Sequence, residues 1–406
     1  MKKLNRIIKM DSYDAVSFFN GLVFFAPVSL LVRTQAGVSQ SMFFLLQALL
    51  SVITFLGEIP TGFLTDRIGY KRSLVLSQGL LLLARFLLFV GFICKSSTLF
   101  AVEVIVEGLS YCFVSGTDSA YVYEVYGTKN YLSKMTHASN CGTAGFLIST
   151  VVYVVIYHVF NIEGLLLSTI ATGMAAAFFS FKLKKEPSKV IGQKEPQNKT
   201  TSYTENDQDN KNMENCHPLK RLFSTMKHPK ALLFAVELSV FQVSWLLINF
   251  FYVEKLETCG ISVEWMSAVI LGYSAVEMLA EPIIRKIGNA FSNTWAFVFE
   301  VASGIGFLLF GFISHKILVV ALMLILPLLL KLPEYFVMEQ ENILVDLLGV
   351  KTQRAAALSI LNMGVSIMEI LTLFASAVLT AVGIGWCFFG VGILLIIAML
   401  CLNATN

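Results

Sequence analysis

The chain has 406 residues, of which 56% are hydrophobic, 12% aromatic and only 14% charged, with a formal net charge of +3. Soluble domains carry roughly a quarter of charged residues, so this composition excludes a soluble globular protein and points to an integral membrane protein. The near-neutral total gives no support to a nucleic-acid partner. What carries information is the side of the bilayer on which the basic residues fall.

In chain order, residues 1–10 are basic through Lys2, Lys3, Arg6 and Lys9. The apolar stretch after them, 12–32, is long enough to cross a bilayer and has no small-residue cleavage site, so it is expected to stay as span 1. Spans 2 to 6 are expected at 39–65, 73–94, 98–125, 134–158 and 163–181. Residues 183–228 then hold Lys, Glu, Asn, Gln, Ser and Thr with few aliphatic side chains, too little apolar surface to offset the entropy of ordering. Spans 7 to 12 are expected at 230–253, 262–284, 291–313, 317–342, 353–381 and 384–402. The expected organisation is all-α: twelve transmembrane helices, an N-terminal six-helix bundle at 1–182, a linker at 183–228 and a C-terminal six-helix bundle at 229–406.

With both termini in the cytoplasm, 24 of the 30 Lys and Arg fall in the N-terminal tail, the linker and the loops on that side. Arg33, Lys95, Lys255 and Lys316 fall outside, and Arg85 and Lys331 fall within apolar runs. The positive-inside rule therefore places the linker and both termini in the cytoplasm of a multi-pass protein of the cell membrane.

Spans 2 and 3 meet in a short charged turn, read from Glu58-Ile59-Pro60-Thr61-Gly62 to Asp66-Arg67-Ile68-Gly69-Tyr70-Lys71-Arg72. Gly69 gives the turn its backbone freedom, and Arg67, Lys71 and Arg72 hold it at the cytoplasmic surface. Glu58, Gly62 and Asp66 share one helix stripe where another helix could come close. At an offset of 219 residues Glu58 falls on Glu277 and Asp66 on Arg285; at 220, Lys134 falls on Arg354 and Ser139 on Ser359. These echoes suggest a duplicated bundle with a site between the repeats.

A charge at the bilayer centre costs roughly 2.5 to 3.5 kcal/mol even on insertion scales, so such residues pair, take protons or face a cavity. The apolar runs hold Glu58, Glu103, Glu107, Asp118, Glu237, Glu277, Glu281, Glu300, Glu334, Glu339 and Glu369 against Arg85 and Lys331. Glu103, Glu281 and Glu339 lie near span ends and are expected to reach water. Reflecting spans 3 and 4 about Lys95 and Ser96 sets Arg85 opposite Glu107, the expected intramembrane ion pair. Lys331 and Glu334, at i and i+3, can satisfy each other or serve a cavity. Pro327 and Pro333 are expected to interrupt span 10 beside that cavity.

The turn resembles the major facilitator superfamily signature G-x-x-x-D-[RK]-x-G-[RK]-[RK], carried by Gly62, Asp66, Arg67, Gly69, Lys71 and Arg72. From about residue 18 to 187 the chain is similar to a bacterial branch with E-I-P-T-G-x-x-x-D-R-x-G in span 2 and S-G-[AT]-D in span 4, here Ser115, Gly116, Thr117 and Asp118. Two positions depart: Tyr70 replaces a basic residue and is expected to soften the turn, and span 5 lacks the G-P-x-x-G-G run of many drug/proton antiporters. The resemblance implies two pseudo-symmetric bundles that rock about a central cavity lined by spans 1, 4, 7 and 10. It singles out Glu237 and Glu334 as proton or substrate carboxyls, Glu237 first because Lys331 competes for Glu334, with Glu58 in reserve or as an interface brace. Asn20, Asn249, Trp245 and Lys331 are accessory candidates. Asp66 is expected to meet the N-terminus of span 11 near Gln353 and stabilise the state closed to the cytoplasm.

The expected activity is secondary active transport of a small organic solute coupled to protons, with a monomer in the lipid bilayer working alone. The acidic excess favours a cationic or amphipathic compound, and efflux ranks ahead of import of a nutrient or metabolite. A non-transporting membrane receptor or assembly partner is the alternative of another class. There is no G-x-x-x-x-G-K-[ST] phosphate loop, so no enzyme chemistry or cofactor is expected. The five histidines are scattered, and the seven cysteines, without a C-x-x-C pair, read as small core residues, so no metal site is expected.

Overall fold

A computed structural model of the chain describes residues 10–186, 229–261, 265–287, 293–347, 353–363, 367 and 384–404. The basic N-terminal tail, most of the linker, Glu369 and most of span 11 lie outside the described residues.

Span 1 is two helices, not one. α1 (Ser12–Gly21) starts from a capping box between Asp11 and Asp14, and after a break a 3-10 turn at Ala26–Val28 leads into α2 (Ser29–Gln35). A break at this depth would orphan backbone groups in lipid. Here Phe24 N–H donates to Thr169 Oγ1 at 3.2 Å, and Thr172 Oγ1 donates to the Leu22 carbonyl at 3.0 Å.

α3 (Gln40–Ile68) and α4 (Tyr70–Cys94) are spans 2 and 3, and Gly69 between them takes φ 97°. Span 4 is split into α5 (Ser97–Val114) and α6 (Thr117–Tyr126) at Ser115 and Gly116. Spans 5 and 6 form α7 (Thr128–Phe181), a hairpin bent at Asn161, which has non-helical φ 53° and ψ −152°. Gly21 packs on Gly142 while Leu22 bonds Thr172, so the two arms pass the same level of α1 on their way up and back.

In the second half, α8 (Pro229–Thr258) is span 7, and span 8 is divided into α9 (Met266–Glu277) and α10 (Ala280–Ile287). α11 (Asn293–Phe312), α12 (Lys316–Leu347), the helical residues 354–363 (α13) and α14 (Ile384–Ala404) complete it. Contrary to expectation, Pro327 and Pro333 do not interrupt span 10; α12 runs through both. Each proline costs one intrahelical donor, a loss that packing on neighbouring helices offsets.

Seven helices are long and apolar enough to cross a membrane, the hairpin α7 counted as one, and no strand occurs among the described residues. Their outer faces stay apolar: Leu56, Val151, Val154, Val159, Phe160 and Ile317 are all more than half exposed, as a lipid-facing belt requires. The aromatic side chains of Tyr121, Tyr131, Phe241, Phe307, Phe310 and Phe388 are fully buried inside the bundle.

Candidate functional site between the halves

The end of the bundle that carries Gly69, Gly127 and the start of the linker is closed by contacts from one half to the other. Asp66, at the end of α3, accepts the N–H groups of Ala355 and Ala356 at 3.1 and 3.0 Å, the first free amides of α13. α3 can come this near because position 62 is glycine: a Cβ there would lie 2.9 Å from Ala356 Cα. Gly116, at φ 68°, faces α13 in the same way, with the Ala355 carbonyl 3.1 Å from where its Cβ would be. Arg354, 1% exposed, bonds Glu124 of the first half at 3.1 Å, and Asp346 and the Asn342 carbonyl of its own half. Tyr123 Oη donates to Asp346 at 3.0 Å and Asn342 Nδ2 to Ser119 Oγ at 2.8 Å.

A second seam joins α7 to the span 8 break. His137 Nδ1 lies 2.8 Å from Glu281 Oε1, and Asn140 Nδ2 donates to Glu281 Oε2 at 3.0 Å and to the Met278 carbonyl at 2.7 Å. Asn140 thus satisfies one of the carbonyls that the break between α9 and α10 sets free.

Behind these seams lies a cavity of about 280 Å³ between the halves. Among the described residues its walls carry four carboxyl groups, Glu58 and Asp118 from the first half and Glu334 and Glu341 from the second, and no Lys or Arg. Glu334 is held from both sides, by Gln242 Nε2 at 3.2 Å and Trp245 Nε1 at 3.1 Å. Ser115 links three helices: its Oγ donates to Glu58 Oε1 at 3.4 Å and accepts from Asn362 Nδ2 at 3.0 Å, and its carbonyl accepts from Ser359 Oγ at 3.4 Å. Four carboxyl groups around one small space need counter-charge from protons or from a bound cation.

Several sequence expectations change. Lys331 does not pair with Glu334; its Nζ bonds Glu277 Oε1 at 2.8 Å and lies over the rings of Trp245 and Tyr335, both at 5.4 Å. Glu237, expected in the cavity, is 2% exposed and does not line it; it lies close to Glu300, while its neighbour Leu238 and Gln242 line the wall. One residue along a helix is a turn of about 100°, enough to move a side chain from front to rear.

Arg85 and Glu107 line a second cavity, of about 270 Å³ within the first half, together with Asn20, but they form no ion pair there. Arg85 Nη1 donates to the Thr169 carbonyl at 3.4 Å and Glu107 accepts from Tyr111 Oη at 2.8 Å. The ion pair at this level is instead Arg33 with Glu103, at 3.0 Å and both nearly fully buried. Glu103 therefore does not reach water, and Glu339, 9% exposed, scarcely does; Glu281, bonded to His137, keeps a partial opening to solvent at 12% exposure. Tyr70, expected to soften the turn, is packed in the core at 1% exposure. Arg67 and Arg72 are exposed, and the Lys71 N–H donates to Glu186 Oε2 at 3.2 Å. Asn249 is exposed outside the cavity and accepts from Tyr273 Oη at 3.3 Å.

The reading of scattered histidines also needs revision. His137 and Cys141, one helical turn apart on α7, meet Asp14 of α1, and donor atoms of all three lie within 4.8 Å of one another. The i, i+4 spacing was visible in the sequence; the carboxylate, more than a hundred residues upstream, was not.

The model of the Major Facilitator Superfamily matches residues 15–330. Among curated proteins, no sequence matches the chain. Among solved structures it is similar to the E. coli fucose:proton symporter FucP, with TM-score 0.74 and 13% identity over 97% of this chain and 98% of that one. It is also similar to the human organic anion transporter MFSD10 (TETRAN), with TM-score 0.69 and 12% identity over 96% and 97%. The proton:xylose symporter XylE gives TM-score 0.66 and 14% identity over 96% and 94%. At such identities the likeness speaks for the fold. Together with the family match over most of the length, it establishes that the chain belongs to the Major Facilitator Superfamily and is a secondary transporter, not an enzyme.

Proposed function

We propose that the protein exchanges protons for a cationic or amphipathic organic solute across the cell membrane, with the linker end in the cytoplasm. The observation that carries this is the cavity wall: among the described residues, four carboxyl groups, no Lys or Arg, and the nearby Lys331 held by Glu277. A site of that charge binds either protons or a cation, and occupants that compete for one site drive exchange with no long-range wire. Exchange for protons moving down their gradient is efflux, which is why antiport ranks ahead of import. Glu334 and Glu341 are the carboxyl groups that meet the solute, and Glu334 is aimed by Gln242 and Trp245. Glu237, with Glu300 behind the wall, holds a proton without touching the solute.

The test is flux in proteoliposomes under an imposed pH gradient, wild type beside Glu334→Gln and Glu237→Gln, with a panel of organic cations, sugars and carboxylates. Glu334→Gln is expected to lose gradient-driven flux of a cation at least tenfold. Full flux in that variant, or transport confined to sugars or anions, overturns the reading.

A further inference from the structure

We propose that Asp14, His137 and Cys141 form a binding site for a divalent transition-metal ion of the Zn²⁺ type at the linker end, separate from the transport cavity. Three different donors converge. Asp14 is fully buried, His137 Nε2 lies 3.7 Å from Asp14 Oδ2, and Cys141 Sγ lies 3.9 Å from the same Nε2. In a tetrahedral zinc site, bonds of about 2.0 Å to N and O and about 2.3 Å to S put donors about 3.3 to 3.5 Å apart. The two spacings to His137 need only a few tenths of an ångström of closure, and Asp14 to Cys141, within 4.8 Å, needs up to about 1.3 Å, a shift within reach of side-chain rotation. Thiolate, imidazole and carboxylate together select Zn²⁺ and its neighbours over Mg²⁺ or Ca²⁺.

The surroundings are arranged for a ligand at Nε2. Glu281 takes the Nδ1 side of the ring at 2.8 Å, the carboxylate–histidine contact that fixes which nitrogen is left to face a metal. Lys134 bonds Asp14 Oδ1 at 2.6 Å and so leaves Oδ2, the oxygen nearer the histidine, which otherwise accepts only the Asp11 N–H at 3.0 Å. The Lys134 charge is met in turn by Asp11 at 2.8 Å. Binding replaces the Cys141 thiol proton, and any second proton on the imidazole, with the metal; nothing is oxidised. Because Glu281 belongs to the other half, a metal on His137 strengthens the contact that keeps the linker end closed. Occupation therefore slows transport.

The full chain, purified without a histidine tag, is titrated with Zn²⁺ in detergent by calorimetry, and with Co²⁺ by the thiolate charge-transfer absorption. One ion per chain is expected, with Cys141→Ser losing at least tenfold in affinity together with the absorption band. Glu281→Gln, which leaves the three donors in place, is expected to lose about 10-fold. Zn²⁺ on the linker side of proteoliposomes is expected to slow wild-type flux and leave Cys141→Ser unaffected. Titrations that are the same for wild type and Cys141→Ser, or that show no bound ion, overturn the proposal. The calorimetric result does not depend on which solute the protein carries.

Discussion

The two seams at the linker end stand at equivalent places in the duplicated halves, yet they are made differently. In one, α3 of the first half reaches α13 of the second; in the other, the α9–α10 break of the second half reaches α7 of the first. At the offset of about 219 residues, Asp66 corresponds to Arg285, one turn beyond Glu281, and Lys134 to Arg354. The first seam is backbone against backbone: Gly62 lets α3 approach Ala356, and a carboxylate caps bare amides. The second is side chain against side chain, with His137 and Asn140 spanning the gap to Glu281. The difference has a physical origin. α7 begins at Thr128, about two and a half turns before His137, so its free amides are spent away from the seam, whereas α13 begins at the seam itself. A close seam is set by geometry and tolerates little; a wide seam is set by protonation and ligands, and can be tuned.

The largest effect should follow from wedging the close seam. Gly62→Leu puts a side chain where even a Cβ would lie 2.9 Å from Ala356 Cα, and forced packing of this kind costs about 1 to 3 kcal/mol. Applied to the equilibrium between closed and open states, that is a factor of about 5 to 150. Flux in proteoliposomes is expected to fall at least about fivefold while thermal melting of the purified protein stays near wild type. A variant within twofold of wild-type flux shows that the helices do not close on each other here.

Next is Asp66→Asn, which keeps one acceptor oxygen for α13 but loses the charge. A carboxylate at a helix N-terminus is worth about 0.3 to 1 kcal/mol, and up to about 2 when partly buried. Transport should drop several-fold with solute affinity retained, read as initial rates beside equilibrium binding. A loss of affinity equal to the loss of rate would move Asp66 from closure to the binding site.

The sequence shows why one seam could be foreseen and the other could not. Twelve apolar runs, the linker and the glycine-bounded turn are local features, and so is a carboxylate in the last turn of α3. The break in span 1 depends on Thr169 and Thr172, which lie on a helix about 145 residues away. Depth can be read by counting from a turn: Arg85 and Glu107 do share one cavity. Rotation about the helix axis cannot be counted that way. It is rotation that pairs Glu103 with Arg33, turns Glu237 to the rear while Leu238 meets the cavity, and brings His137 to Glu281.

Glu281→Gln should have a smaller effect than Asp66→Asn. The amide keeps one acceptor oxygen, enough for either Asn140 or His137, and the pair it replaces is partly open to solvent, where such contacts are worth under about 1 kcal/mol. Flux is expected to change by no more than threefold. A larger loss than that of Asp66→Asn would reverse the order of the two seams and make the side-chain seam the main closure.

The smallest expected quantity is the coupling between the seams. Asp66 and Glu281 act on different helices: one caps α13 and the other binds α7. If both act only on the balance between a closed and an open linker end, their free energies add, and the double variant should match the sum of the singles within about 0.3 to 0.5 kcal/mol. The measurement is a double-mutant cycle on flux rates, with accessibility of an introduced Ser359→Cys thiol as a direct readout of opening. A coupling well above that range means the halves do not close as one rigid movement, and that opening one seam already loosens the other. Repeating the cycle with saturating Zn²⁺ sharpens the comparison further, since the metal should raise the cost of Glu281→Gln and leave that of Asp66→Asn unchanged.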